Sequence, residues 1–170
     1  MSAMLDASTR AASDAALHQS AHDVVARLTP AADGTSVVGV GVDAVDVARF
    51  RRILERRPGF TARFFTDTEQ ADARRSPDPS ESLAARFAAK EAVMKALGTG
   101  LGGFALTDVE VRRSAGVGPT RNAPSVLLHG AAASVADRRG AGLLHLSLTH
   151  TPQVAIAFVV AERRPSCSPS

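Results

Sequence analysis

An alanine-rich segment, residues 82–97, constrains the fold of this 170-residue chain more than any other. Its apolar side chains recur at helical spacing, and the segment ends at Gly98, a residue type that commonly terminates helices. Ser80 or Ser82 can cap its start. The segment therefore predicts a helix with an apolar side. The apolar residues at this spacing are Leu83, Phe87, Met94 and Leu97.

The charged residues of this predicted helix form a cluster. Lys90 and Lys95 are the only lysines of the chain, and Glu91 lies between them. One interpretation is pairing of Glu91 with Lys95 one turn away, which stabilises a helix by only about 0.2–0.5 kcal/mol. The alternative is a phosphate site, in which Glu91 holds a metal ion and the nearby cations contact phosphate oxygens. Those cations are Arg86, Lys90 and Lys95.

A second segment, residues 36–43 (SVVGVGVD), alternates valine with glycine and ends in a carboxylate. The pattern predicts a buried strand, followed by an amphipathic helix over 44–57. The glycines formally match the dinucleotide pattern G-x-G-x-x-A, but Asp43 stands where a bare pyrophosphate would bind, and no second βαβ unit is recognisable. Two interpretations remain for Asp43. It caps the helix, with Asp46 in the first turn, or it shares a divalent cation with Glu91.

The other predicted elements give an order of strands and helices that is typical of the α+β class. A turn or extended stretch is predicted at 60–65, then a short helix around Glu69 that Thr66 or Asp67 caps. This order predicts an α+β fold with a mostly antiparallel sheet and packed helices. The remaining predicted strands are 106–113, 124–129, 143–149 and 154–161, with a helix at 130–139.

We divide the chain into three parts. Residues 1–35, rich in Ala, Ser and Asp, are predicted to be a helical or disordered extension. Residues 36–162 form the predicted domain. Residues 163–170 are predicted to be a disordered tail.

Composition narrows the function classes. The chain is 45% hydrophobic, enough for a sizeable core, and its single cysteine excludes an intrachain disulfide. A net charge of +3 with neither Trp nor Tyr makes nucleic-acid binding a poor interpretation. No apolar run approaches the roughly 18 residues of a membrane span, and no signal pattern opens the sequence. We therefore expect a cytoplasmic protein that binds neither membrane nor nucleic acid.

Two further groups of polar residues are candidates for binding. Ser147-Leu148-Thr149-His150 ends a predicted strand, with Ser147 and Thr149 on one face and His150 on the other. Taken alone, this is typical of a strand edge with a surface histidine. A row of arginines on the helix 44–57 is either a solvated face or a dock for an acidic partner. The arginines at helical spacing are Arg49, Arg52 and Arg56.

Together these segments resemble the holo-[acyl-carrier-protein] synthase family, the small 4′-phosphopantetheinyl transferases. The pattern G-[IV]-G-x-D matches residues 39–43, and F-[ST]-x-x-E matches 65–69. The central signature F-[AS]-x-K-E-A-x-x-K-A matches 87–96, and S-[IL]-[ST]-H matches 147–150. All four occur in family order. One departure is Asn122-Ala123-Pro124, where the family often has a basic residue before the proline.

The resemblance implies a reaction. The 4′-phosphopantetheine arm of coenzyme A moves to a serine of an acidic apo acyl carrier protein, with Mg²⁺, and adenosine 3′,5′-bisphosphate is released. It implies roles in fatty-acid and lipid or polyketide biosynthesis, and a homotrimer with sites between neighbouring subunits.

The resemblance also implies residue roles. Asp43 and Glu91 would hold Mg²⁺ and, with Lys95, form the catalytic set, while the general base stays open between Glu91 and a metal-bound water. The carrier would dock on the helix that bears Arg49, Arg52 and Arg56. The residues implied to bind coenzyme A are Arg86, Lys90, Lys95, Gly98, Ser147, Thr149 and His150.

Two other function classes are weighed against the transferase. The first is a module that binds coenzyme A or a carrier without catalysis, which the complete set of charged signature residues disfavours. The second is a nucleic-acid-binding domain that uses the basic helix. Calorimetry with coenzyme A and a duplex-binding salt titration would distinguish them.

Overall fold

The computed structural model describes residues 36–100, 102–113 and 123–163. Two antiparallel sheets lie in this part of the chain. Strands β1 (Val37–Asp46), β4 (Ala141–His150) and β5 (Val154–Arg163) form a three-stranded sheet in the order β1-β5-β4. Strands β2 (Val109–Arg113) and β3 (Pro124–Leu128) form the second sheet.

Five α-helices are present among the described residues. Together with the two sheets they confirm the predicted α+β class. The predicted extension over 1–35, residues 164–170 of the predicted tail and the departure at Asn122 lie outside the described part. Arg163, predicted to begin the tail, is instead the last residue of β5. The helices are α1 (Val47–Arg56), α2 (Phe60–Phe64), α3 (Asp67–Arg74), α4 (Pro79–Ala96) and α5 (Gly130–Arg139).

Helix α4 packs against one face of the three-stranded sheet, and small side chains make the contact. Every second residue of β5 is buried towards the helix, and the helix meets it with a run of alanines. Small residues on both surfaces let the backbones of the helix and the sheet approach closely. The buried residues on the β5 side are Ala155, Ala157, Val159 and Ala161.

Gly39 and Gly41 mark the closest approach between β1 and α4. A Cβ atom built on Gly41 would lie 1.9 Å from the carbonyl oxygen of Ala92, and one on Gly39 would lie 2.1 Å from that of Ala96. No real Cβ contact is this short, so only glycine fits at either position. The G-x-G spacing that superficially matches a dinucleotide loop is therefore a packing feature of the strand.

The start of α1 differs from the prediction. Strand β1 continues past Asp43 to Asp46, and Asp46 is the N-cap, since its Oδ1 accepts a hydrogen bond from the backbone N of Arg49 at 2.6 Å. The interpretation of Asp43 as a helix cap is therefore wrong. The pairing of β1 with β5 extends the strand by three residues, which a single sequence does not reveal.

Helices α2 and α4 also differ from the prediction. Residues 60–64 form a short helix where a turn or extended stretch was predicted. Phe60 packs against Phe50 and Phe87, and Phe64 packs against Phe87, at ring-centroid distances of 5.7–6.2 Å. The N-cap of α4 is Asp78, followed by Pro79, and the predicted serine caps lie inside the helix. Proline suits a first helical position because its missing N–H would have no partner there.

The predicted capping of the short helix and the predicted stop at Gly98 are confirmed. Thr66 and Glu69 form a reciprocal capping box at the start of α3. Gly98 has φ +62°, the left-handed conformation that ends helices. In the part of the chain that the structure describes, no helix is long and apolar enough to cross a bilayer.

Candidate active site

The contact between β1 and α4 brings Asp43, Glu91 and Lys95 together. Asp43 lies on the same face of β1 as Gly39 and Gly41, which is the face turned to the helix. Lys95 donates from Nζ to Asp43 Oδ1 and to the carbonyl oxygen of Val42, both at 2.8 Å. Glu91 lies near enough to Asp43 for that carboxylate to raise the pKa of Glu91. Two acids distant in the sequence thus lie near each other between β1 and α4.

The environment of Glu91 is unfavourable to its negative charge. Partial burial, followed by the nearby charge of Asp43, raises the pKa of Glu91 from 4.5 to about 7, although Lys95 opposes the shift. A carboxyl held in this way is only partly ionised at neutral pH. A bound cation would add a positive charge next to Glu91 and Asp43 and would stabilise both carboxylates in their ionised form.

The two carboxylates fit a magnesium ion. Mg²⁺ is commonly held by one or two carboxylates, with water and substrate phosphate in its other positions. Over residues 36–100, 102–113 and 123–163, no group of three or more His, Cys, Asp or Glu side chains is placed to hold a metal. A pair of carboxylates such as Asp43 and Glu91 suits an ion that takes its other ligands from water and substrate.

In the absence of divalent cations, we expect thermal stability to fall as the pH rises from about 5 to about 8 because of Glu91. Its pKa of about 7 in the folded chain exceeds the ordinary 4.5, so the folded state binds more protons over this window. Melting temperatures measured in EDTA across this range should fall more steeply for the wild type than for Glu91→Gln. Equal slopes for the two proteins would contradict the assignment.

Lys90 lies on another side of α4 and is completely buried. Its Nζ donates to the carbonyl oxygens of Leu106 at 2.8 Å and Val109 at 2.6 Å, and it pairs with Glu69 Oε2 at 2.7 Å. These three partners use all three of its donors. The coenzyme A phosphate contact predicted for Lys90 has no donor left to make it. We therefore correct that prediction and assign Lys90 to the interior.

Arg86 is also turned inward. Its Nη1 donates to the hydroxyl of Ser82 at 2.6 Å and to that residue's carbonyl oxygen at 3.2 Å, and Nη2 lies 3.6 Å from Asp72. Desolvation lowers the pKa of Arg86, and the charge of Asp72 opposes this. With 6% of its surface exposed, the guanidinium offers little to a phosphate in solution. The predicted phosphate contact of Arg86 is therefore also corrected.

The polar residues at the end of β4 lie apart from the Asp43 site. Ser147 pairs with Phe158 and Thr149 with Ile156, on the face of the sheet that α4 does not cover. Asp43 pairs with Ala157, which is buried on the helix face. Within one chain, Asp43 and Ser147 are therefore on opposite faces of the sheet.

His150 and Gly98, the other predicted coenzyme A residues, are exposed at separate points. His150 Nε2 lies 2.7 Å from Glu81 Oε1, which joins the end of β4 to the first turn of α4. The carbonyl oxygen of Gly98 accepts a hydrogen bond from Arg139 Nη2 at 3.3 Å. Neither Glu81 nor Arg139 was predicted to lie beside these residues, because each meets its partner only in the folded chain.

The arginines predicted to bind an acidic partner are exposed on α1. Val47 and Phe50 on the same helix are buried, so α1 has an apolar side and a basic side, as its sequence predicts. The exposed arginines at helical spacing are Arg49, Arg52 and Arg56.

The chain is similar in sequence to proteins of a known family. A family model described as the 4′-phosphopantetheinyl transferase superfamily matches residues 39–158. The chain is 52% identical over 124 residues to a holo-[acyl-carrier-protein] synthase of Clavibacter sepedonicus, covering 73% of this chain and 94% of the relative. It is 50% identical over 127 residues to a protein of the same name from Frankia casuarinae, covering 75% of this chain and 98% of the relative.

A solved structure shares the fold. The holo-(acyl-carrier-protein) synthase of Bacillus anthracis, in complex with CoA (3′,5′-ADP), superposes with a TM-score of 0.61 at 30% identity. The superposition covers 76% of this chain and 100% of that one.

Proposed function

The chain belongs to the 4′-phosphopantetheinyl transferase superfamily as an enzyme of the holo-[acyl-carrier-protein] synthase family, and from this premise we propose its reaction. It transfers the 4′-phosphopantetheine arm of coenzyme A to a serine of an apo acyl carrier protein. The serine oxygen forms a bond to the β-phosphorus of coenzyme A, the pyrophosphate P–O bond breaks, and adenosine 3′,5′-bisphosphate leaves. The serine hydroxyl gives up its proton in the same reaction.

One observation supports this proposal most strongly, namely the convergence of Asp43, Glu91 and Lys95 at one point between β1 and α4. Two carboxylates and an ammonium in contact suit a substrate whose phosphates carry several negative charges. Transfer of a phosphoryl group depends mainly on positioning and charge neutralisation, with little covalent work for the protein. The B. anthracis relative, whose structure contains coenzyme A, supports the same substrate class.

In this proposal the protein groups have distinct roles. Asp43 and Glu91 would hold Mg²⁺, which when bound neutralises charge on the pyrophosphate. Lys95, held 2.8 Å from Asp43, adds a positive charge beside them, and half of its side chain is exposed to a substrate. Glu91 is also a candidate for the group that accepts the proton of the serine hydroxyl.

We expect Lys95→Ala to raise the KM for coenzyme A by about tenfold while leaving stability nearly unchanged. The variant removes the cation nearest the proposed pyrophosphate site, and an ion pair at an exposed lysine contributes little to folding. Initial rates at varied coenzyme A and a thermal melt measure the two effects. Arg74→Ala, which removes an exposed cation at the end of α3, is the control. Wild-type coenzyme A kinetics in Lys95→Ala would remove Lys95 from the site.

We propose that the acidic carrier docks on the basic side of α1. We expect the triple variant Arg49→Glu/Arg52→Glu/Arg56→Glu to raise the KM for the carrier by about 100-fold or more, with an unchanged KM for coenzyme A. All three side chains are exposed, so the fold should survive. Carrier kinetics at two salt concentrations measure the effect, which should weaken at high salt. If the KM for the carrier is unchanged, the docking surface lies elsewhere.

We also propose that the protein is a homotrimer with sites shared between subunits. The face of the three-stranded sheet opposite α4 exposes Leu143, Ile156 and Phe158, each between 37% and 45%. Ser147 and Thr149 lie on that same face, away from Asp43, so a site containing both groups needs two copies of the chain. Sedimentation equilibrium should give three times the chain mass of 17.6 kDa. A monomer at working concentrations would contradict this.

A mass measurement tests the central proposal. The full chain is incubated with coenzyme A, Mg²⁺ and a panel of apo carriers from fatty-acid and polyketide synthesis, and the intact mass of each carrier is recorded. A gain of one phosphopantetheine arm on at least one carrier, abolished by EDTA, is the expected result. Calorimetric binding of coenzyme A without a mass gain on any carrier would instead indicate a binding module that lacks catalysis.

A further inference from the structure

A buried ion pair joins α4 to the segment that begins α3 and to β2. Glu69 and Lys90 are both 0% exposed, and their charged atoms are 2.7 Å apart. Glu69 Oε2 also accepts a hydrogen bond from the backbone N of Thr66, and Oε1 accepts one from that of Val111, both at 2.9 Å. With the two carbonyls bound to Lys90, every donor and acceptor of the pair is directed at a particular atom.

Stability alone does not account for such a pair. Taking two charges out of water costs about as much free energy as their attraction returns, so apolar residues of similar volume often serve equally well. What an apolar pair cannot supply is direction. Lys90 bonds to the carbonyl oxygens of Leu106 and Val109 and to one carboxylate oxygen, and these bonds define how α4 is rotated about its axis.

The rotation of α4 matters because Glu91 is the next residue. Successive residues of a helix point about 100° apart, so the direction of Lys90 determines that of Glu91. On the side towards β1, backbone atoms of Ala92 and Ala96 meet Gly41, and the hydrogen bonds to the strand come from Lys95, whose side chain is half exposed. Those bonds are open to water, whereas the bonds of Lys90 are buried. The polar anchor is therefore on the Lys90 side, and the carboxylate it orients is on the Asp43 side.

We propose that Glu69 and Lys90 are positioning residues for the divalent-cation site, which hold Glu91 at the distance from Asp43 that the ion requires. This inference rests on the proposed function. Glu69 of the F-[ST]-x-x-E segment and Lys90, the first lysine of the central signature, then share one role, although neither would touch the substrate. Mutation of residues that orient metal ligands typically lowers metal affinity or activity by about 10–100-fold.

The double variant Glu69→Gln/Lys90→Met tests this inference. It removes both buried charges at similar volume but leaves the carbonyl oxygens of Leu106 and Val109 without the donor of Lys90, so the full chain should be destabilised relative to the wild type, and a thermal melt establishes that it is folded before the titration. Calorimetric titration with Mn²⁺, without any substrate, should show affinity about tenfold weaker than that of the wild type. The control is Arg75→Met, which removes an exposed cation at the end of α3 and should bind Mn²⁺ as the wild type does.

Wild-type Mn²⁺ affinity in a folded double variant would overturn the inference and leave the pair with a structural role only. If the double variant does not fold, Glu69→Asp replaces it, because the shorter carboxylate cannot reach both Lys90 and the backbone N of Val111. Unchanged Mn²⁺ affinity in Glu69→Asp would overturn the inference in the same way, and weaker binding would support it. A wild-type chain that neither binds Mn²⁺ nor modifies any carrier overturns the proposed function itself, and this inference with it.

Discussion

Glu91→Gln is expected to lower the rate of carrier modification by about 100-fold or more while the chain stays folded. The substitution keeps the volume of the side chain but removes one of the two charges that would hold Mg²⁺. Since burial and Asp43 already disfavour that charge, its loss costs the fold nothing and relieves repulsion at neutral pH. Activity loss with retained stability is the signature of a functional carboxylate.

The measurements are the intact-mass assay for activity and a thermal melt for stability. Asp67→Asn is the matched control, because it makes the same carboxylate-to-amide change at an exposed position in the first turn of α3. Its activity should equal that of the wild type. A wild-type rate in Glu91→Gln would remove Glu91 from the metal site, and with it the proposal that two acids hold the ion.

Gly41→Ala is expected to destabilise the protein by about 3–5 kcal/mol, among the largest effects that one methyl group can have. The new Cβ atom would lie 1.9 Å from the carbonyl oxygen of Ala92 and 2.8 Å from the backbone N of Ala96. Backbone on both sides must move to admit it, because β1 is paired with β5 and α4 is packed on the sheet. Much of a typical stability of about 5–15 kcal/mol would be lost.

Urea unfolding and soluble yield measure this effect. Gly59→Ala is the matched control, since Gly59 has no neighbouring atom within 4 Å of the added Cβ and a φ of −80° that alanine adopts freely. It should unfold at the wild-type urea concentration. The same midpoint for Gly41→Ala would show that the strand and helix are not in close contact. Any Gly41→Ala protein that does fold should also lose Mn²⁺ affinity, because the wider gap separates Asp43 from Glu91.

Much of the fold could be predicted because its signals are local. The stop of α4 at Gly98, the capping box of Thr66 with Glu69, and the alternation along β5 each depend on residues a few positions apart. Interactions at such short range recur in the same form in unrelated proteins. The short helix at 60–64 was not predicted, because the ring contacts that stabilise it are with Phe50 and Phe87, which lie outside the segment.

The candidate site could be predicted only in part. The sequence led to Asp43, Glu91 and Lys95 as one group, and the structure brings them into contact. Lys90, next to Glu91 in the chain, was expected in the same group and is instead buried against Glu69. Helical spacing shows that these residues point in different directions, but it does not show which direction meets solvent.

The sequence by itself determined the family and the α+β class, because these reside in the residue types and their spacing. Only the tertiary structure decided that Asp46 rather than Asp43 caps α1, that Lys90 is buried, and that Ser147 lies on the other face of the sheet from Asp43. Each of these depends on a partner far away in the chain. Whether a residue is buried, and which way its side chain points, depends on the residues it packs against, and these are not known from its own segment of the sequence.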